Sequence, residues 1–306
     1  MSSQSELRRW LWPHIPLMAL TFLSTWVAGI AFAAEDGAVA SLSAWPDVDT
    51  LLTGLWYPVG IMAILFAHEM GHYLQTKRHG VDATPPFFVP GLPIPTIGLF
   101  PFIGTLGAFI KLELRPIPNK ALLEIGAWGP LAGWIVTVPV LMAGFSMSEV
   151  QPLPPGEELI TLGDSLLLVL GEMIFHPDIR EGTDVFLHPL AMAGWTGCLL
   201  TALNLLPLGQ LDGGHVAYTV FGERFNRVAP ILFAGLCLLG LFAFAGWLVF
   251  AGLVWVLGIR HPPIATDDTV RGRDTWLAWA SVVMFLTTFA AAPIQGMSVL
   301  HLLGVL

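Results

Sequence analysis

An ionisable trio set inside an apolar segment constrains this chain more than any other feature. Residues 54–74 are hydrophobic over a membrane-spanning length, yet they contain His68-Glu69-Met70-Gly71-His72. A helical span needs about 20 apolar residues. Ionisable groups at that depth are costly and by default mark a functional site. Two histidines four positions apart share one helix face and can bind one zinc ion, with the neighbouring glutamate as base. At about 1.5 Å per residue, His72 lies about 8 Å and His68 about 14 Å along the axis from Lys77. A metal there sits below the membrane surface but short of the bilayer centre, so water needs a polar path to it. The alternative is a chance HExxH motif, and the cost of placing charges in such a setting argues against it.

Composition agrees with a polytopic membrane protein. Among 306 residues, 55% are hydrophobic and 11% charged, and mean hydropathy is +0.73. Soluble domains carry about 25% charged residues. The net charge of −9 does not suggest nucleic acid as a partner. Cys198 and Cys237 both fall in apolar runs and read as small packing residues.

Apolar runs predict membrane helices at residues 15–33, 54–74, 121–145, 187–206 and 275–292, with a longer run at 228–259. The last is too long for one ordinary span. Either Phe244-Ala245-Gly246-Trp247 turns it into a hairpin or one helix tilts strongly. The fold class expected is all-α and polytopic, with six to seven spans. Residues 1–306 form a single integral-membrane domain, with a core at 54–215 and gating or C-terminal helices at 228–292. With the hairpin, Arg8, Arg9, Lys77, Arg78, Lys111, Arg115, Lys120, Arg224, Arg227, Arg260, Arg271 and Arg273 all fall on one side. Only Arg180 falls opposite. The positive-inside rule makes that side the cytoplasm. The pattern predicts a multi-pass protein of a prokaryotic plasma membrane, with the N-terminus and the candidate site toward the cytoplasm. The N-terminal segment has a second reading, a signal peptide ending at Ala31-Phe32-Ala33, but its apolar stretch is longer than a typical signal core.

Residues 85–95 hold five prolines and cannot be a helix. Gly98, Gly104 and Gly107 punctuate a strand-like stretch around Thr105-Leu106-Gly107-Ala108-Phe109. Flanking positive charges on one side predict a membrane re-entrant loop and β-hairpin. Such backbone is allowed at membrane depth only where protein or a watery cavity satisfies it. Residues 160–175 read as an interfacial helix. His176 and His188 read as solvated, His261 as a capped loop start, and Trp10, Trp12, Trp56, Trp195 and Trp276 as interfacial anchors.

Asp212 ends the fourth apolar run in Leu211-Asp212-Gly213-Gly214-His215. Pro207 and the glycines interrupt a helix, so an unwound stretch can turn Asp212 back toward the histidine pair. Zinc proteases use a carboxylate third ligand; a solvated, inert loop aspartate is the bland alternative. His215 reads as an outer-shell or interfacial residue. Asn204 fits a helix–helix hydrogen bond as well as any chemical role.

Three segments, in order, resemble the site-2 protease family of intramembrane zinc metalloproteases. They are His68-Glu69-Met70-Gly71-His72, the stretch from Gly126 through Gly129-Pro130 to Gly133, and Asn204 with Pro207 and Asp212-Gly213. The resemblance implies one Zn2+ per chain held by His68, His72 and Asp212, with Glu69 as catalytic base. It implies that Asn204 contacts the substrate or the developing oxyanion. It also implies that the stretch at Gly104, Thr105, Leu106 and Gly107 is the family's re-entrant β-structure, whose edge pairs with an extended substrate or else merely plugs the cavity. No PDZ or CBS segment is recognisable, and the aspartate motif reads LDGG rather than NPDG. The implied function is cleavage of transmembrane segments of other proteins, in regulated intramembrane proteolysis or clearance of membrane peptides. The partners are then a transmembrane protein substrate and membrane lipid. The competing reading is a metal transporter or a proteolytically inactive zinc binder; few intramembrane carboxylates and an intact Glu69 argue against both.

Overall fold

A computed structural model describes residues 3–34, 46–91, 103–112, 117–153, 161–262 and 275–305, with side chains from residue 12 onward. The acidic stretch at 35–45, Gly98, Arg115, Arg271 and Arg273 lie outside the described residues, as do the side chains of Arg8, Arg9 and Trp10.

Helices α1 (Ser3–Ala33), α2 (Val48–Gly54), α3 (Trp56–Arg78) and α4 (Asn119–Ser146) open the fold. Between α3 and α4 lies a two-stranded antiparallel hairpin, β1 (Phe87–Pro90) with β2 (Thr105–Phe109). After α4 come β3 (Glu149–Pro152), α5 (Leu166–Phe175), β4 (Thr183–Phe186) and α6 (Pro189–Leu205). The chain finishes with α7 (Asp212–Phe221), α8 (Glu223–Phe242), α9 (Gly246–Leu257), α10 (Thr275–Thr288) and α11 (Val299–Leu302). The two small sheets are β1–β2 and β3–β4, and among the described residues neither closes.

Four helical stretches are long and apolar enough to cross a membrane: Trp12–Ala33, Val48–Arg78, Asn119–Ser146 and Glu223–Phe242. Helices α6, α9 and α10 are apolar but shorter. The 228–259 run does break. Helix α8 ends at Phe242, where the amides of Ala243 and Phe244 both donate to the Leu239 carbonyl, and α9 starts at Gly246. Gly240 lies against Leu248, so α9 folds back on α8.

Helix α3 is central and packs against α4 and α6. Glycines make these approaches close: a Cβ on Gly71 would overlap the Trp128 carbonyl, and one on Gly194 would stand 2.6 Å from Leu141 Cα. Small residues at crossing points let helix backbones approach where lipid supplies no hydrophobic drive between them. Trp195 is only 3% exposed and belongs to this core, so it is no interfacial anchor. His176 and His188 are not simply solvated either. The His176 ring bonds the Phe145 carbonyl at 2.9 Å, and His188 caps α6 by accepting from the Leu190 amide at 3.2 Å.

Side chains from α1, α3 and β2 itself bond the backbone of the hairpin and of the residues beside it. Tyr57 Oη donates to the Ile103 carbonyl at 2.9 Å, Ser24 Oγ to the Gly104 carbonyl at 2.6 Å and His14 Nδ1 to the Pro86 carbonyl at 3.0 Å. Thr105 Oγ1 donates to the Val89 carbonyl and accepts from the Gly107 amide. Helix α1 thus holds the hairpin at both strands, while β2 faces α3.

Loop contacts mark two ends of the bundle. At one end Gly209 bonds Ile259, and Thr84 bonds Lys111. At the other end Gly163 bonds Pro293, Gln295 bonds Thr161 and Ala245 bonds Met297.

Replacing Gly194 by leucine should lower the melting temperature in detergent by several degrees, since overpacking a core costs about 1–3 kcal/mol. Gly252→Leu, where a Cβ meets nothing within 4 Å, should leave it unchanged. Equal melting of the two variants would show that α4 and α6 do not depend on this contact.

Candidate metal centre

His68 and His72 project from the same face of α3 and are buried, 6% and 8% exposed. Their Nε2 atoms stand 3.1 Å apart. Helix α6 ends at Leu205, and residues 206–211 form the unwound stretch. Gly209 there adopts φ +52°, a left-handed conformation that suits glycine. The turn is tight: a Cβ on Gly213 would run into the Leu205 carbonyl, and one on Gly214 into the Gly209 carbonyl. This brings Asp212, the first residue of α7, against the histidines. Its Oδ2 lies 3.4 Å from His68 Nε2 and 3.4 Å from His72 Nε2.

The three donor atoms form a triangle of sides 3.1, 3.4 and 3.4 Å. A tetrahedral zinc with bonds of about 2.1 Å spaces its ligands about 3.4 Å apart. The protonation pattern supports the same reading. His72 Nδ1 lies 2.7 Å from the Ile125 carbonyl, which can only accept, so Nδ1 carries a proton, and in the neutral form of the ring Nε2 keeps a bare lone pair. That lone pair faces a carboxylate oxygen and a second ring nitrogen. One proton can bridge only one of the three pairs, whereas one divalent cation engages all three. The backbone carbonyl on Nδ1 is the orienting contact metal-bound histidines generally make. Among the described residues, His68, His72 and Asp212 are the group of three or more His, Cys, Asp or Glu side chains that could hold a metal ion.

The middle motif shapes the space around the histidines. A Cβ on Gly129 would overlap the His72 imidazole, and one on Gly133 would stand 3.1 Å from His68 Cβ. Glu69 is 4% exposed and its carboxyl meets the backbone amide of Ile110, just past β2. Asn204 Nδ2 comes within 3.4 Å of His68 Nε2. Of the β2 residues, Thr105 is buried and Leu106 is 77% exposed. Gly104 lies against α1 at Ser24 and Thr25.

His215 does not join the triangle. Its Nδ1 bonds His261 Nε2 at 2.8 Å. Burial pushes the His215 imidazole down to about 4 and lowers that of His261, so both stay neutral near pH 7. His261 is therefore more than a loop start. No sequence signal links it to His215, since 46 positions separate them. The His79–Glu124 pair, 2.8 Å apart, ties the residue after α3 to α4 and likewise has no signal in the sequence.

Residues 56–248 match the profile of peptidase family M50. The chain belongs to this family. It is the site-2 protease family, so the resemblance drawn from the three motifs holds. The chain is 26% identical over 255 residues to the probable zinc metalloprotease EGY2, chloroplastic, of Arabidopsis thaliana, covering 82% of this chain and 44% of that protein. It is 28% identical over 259 residues to the probable zinc metalloprotease EGY1, chloroplastic, of Oryza sativa subsp. japonica, covering 81% and 43%. The chain thus spans less than half the length of these relatives. No solved structure matches it.

Zinc content should be one per chain in the wild type and fall sharply in Asp212→Ala. Gly129→Ala should also lose zinc, because the added methyl displaces the His72 ring, while Gly235→Ala, in open space, should keep it. Elemental analysis after dialysis reads all three. Full zinc in Gly129→Ala would show that the ring tolerates displacement.

Proposed function

We propose that this chain is a zinc-dependent intramembrane endopeptidase that cuts transmembrane segments of other proteins. The carrying observation is the convergence of three buried donor atoms from α3 and α7, with Glu69 beside them, inside an apolar helix bundle. His68, His72 and Asp212 are the ligands in this reading. Bound zinc would supply Lewis-acid chemistry, polarising a carbonyl and bringing the pKa of water to about 7. Glu69 takes the proton of the attacking water and returns it to the leaving amine. In this reading Asn204, whose Nδ2 lies 3.4 Å from His68 Nε2, is close enough to the donor triangle to serve as an oxyanion donor.

Beyond β1, no strand among the described residues pairs with β2, so its outer edge can accept an extended peptide by strand addition. A substrate helix must unwind there, since a helical backbone hides its carbonyls. The satisfied carbonyls of Ile103 and Gly104 favour a re-entrant hairpin at this place. Release of a membrane-bound domain or clearance of membrane peptides would be the output.

Seven passes are favoured by the loop contacts. Ala245 pairs with the 297 end of the bundle, and Ile259 with the 209 end, so α8 and α9 run in opposite directions. Helices α6, α9 and α10 then complete the crossings begun by the four long helices, and residues 1–306 act as one unit with its core at 54–215. Helix α5, with Leu167 and Leu168 buried and Met173 and Ile174 exposed, fits the membrane interface. The end bearing Lys77, Arg78, Lys111, Arg224 and Arg260 is the positive side, which puts the site toward the cytoplasm or its equivalent. The charge pattern sets a side and not an organelle. The relatives are named chloroplastic, and they lend no support to the prokaryotic plasma membrane expected from the sequence.

Purified protein in detergent should cleave a model transmembrane substrate. Glu69→Gln should lose about 100-fold or more in rate yet keep its zinc. Full turnover by Glu69→Gln would rule out this mechanism.

A further inference from the structure

The loop after α9 grips both sides of Asp212. Ahead of it, the Gly209 amide donates to the Ile259 carbonyl at 3.0 Å and Gln210 Nε2 to the Leu257 carbonyl at 3.2 Å. Gly209 is tight against this loop, since a Cβ there would overlap the Gly258 carbonyl. Behind it, one helical turn along α7, His215 Nδ1 meets His261 Nε2 at 2.8 Å. Tyr218, the next residue on that face, stacks on the His261 ring with centroids 4.3 Å apart.

The hydrogen-bond directions are determined. His261 Nδ1 lies 2.6 Å from the Pro262 carbonyl and must donate to it, which leaves its Nε2 bare. His215 Nδ1 therefore donates to His261 Nε2. The His261 backbone is itself fixed: its amide donates to Asn226 Oδ1 at 2.9 Å, and its carbonyl accepts from Asn226 Nδ2 at 3.0 Å. Asn226 Nδ2 also reaches Glu223 Oε2 at 3.2 Å, and Tyr218 Oη donates to Glu223 Oε1 at 2.7 Å. Asp212 stands on a short helix after a broken one, and residues 257–261 with Asn226 bracket that helix.

We propose that His261 is a positioning residue: through His215 and the 257–259 backbone it holds the start of α7 so that Asp212 keeps its place in the donor triangle. This rests on the reading of Asp212 as a metal ligand. The helices α8 and α9 are thereby part of the metal site's support, although none of their residues reaches the triangle.

The test uses the full chain in detergent, with zinc affinity read by chelator competition and coordination read from the visible spectrum of the cobalt-substituted protein. His261→Phe keeps a ring for Tyr218 but removes the acceptor for His215. It should weaken zinc binding about 10- to 100-fold, the loss typical of outer-shell partners, and alter the cobalt bands. His261→Gln, which restores an acceptor, should recover most of the affinity. On an Asp212→Ala background, His261→Phe should add no further loss. Tight zinc and an unchanged cobalt spectrum in His261→Phe would overturn the proposal, as would an equal added loss on the Asp212→Ala background. Unchanged binding in Asp212→Ala alone is a different result and overturns the ligand set itself. Should His261→Phe not fold, Gln210→Ala cuts the bracket ahead of Asp212 and should weaken zinc in the same direction; unchanged affinity there counts against the bracket.

Discussion

Three electron-rich atoms that repel one another hold the centre of this protein. His68 Nε2, His72 Nε2 and Asp212 Oδ2 meet at 3.1–3.4 Å in a buried place, where no bulk water screens them. Without a positive charge between them the arrangement is unfavourable; with one, each lone pair gains a partner. Much of the surrounding structure serves to bring them that close. The Ile125 carbonyl selects the His72 tautomer, Gly129 and Gly133 leave room for the rings, and the break between α6 and α7 turns a carboxylate inward.

Backbone that leaves helical structure sets a second condition, because buried amides and carbonyls need partners. The β1–β2 hairpin finds them in Tyr57, Ser24, His14 and Thr105, drawn from α3, α1 and β2 itself. Those bonds do more than satisfy polar groups. They fix β2 against α3.

The C-terminal helices are tied to that same centre. Residues 257–261 touch the stretch on each side of Asp212, and Asn226 braces them from α8. The later helices thus contact the segment that carries Asp212 from beyond residue 215.

Local features of the chain were sufficient for several of these elements. The spacing of His68 and His72 implies one helix face, since positions four apart in a 3.6-residue turn lie above each other. Pro207 with the glycines after it implies a broken helix, while Phe244-Ala245-Gly246-Trp247 allows a turn in 228–259 without excluding one tilted helix. Each is a property of a few consecutive residues. Other features depend on which surfaces meet. Nothing local to His261 points to His215, nothing in Gly129 alone points to the His72 ring, and Trp195 reads as an interfacial residue until α4 and α6 close over it. Sequence by itself determined the chemistry available and where several apolar helices lie, because backbone propensity and side-chain type act over short range. Only the tertiary structure decided which lone pairs share a point in space and what braces them, because that depends on contacts between segments far apart along the chain.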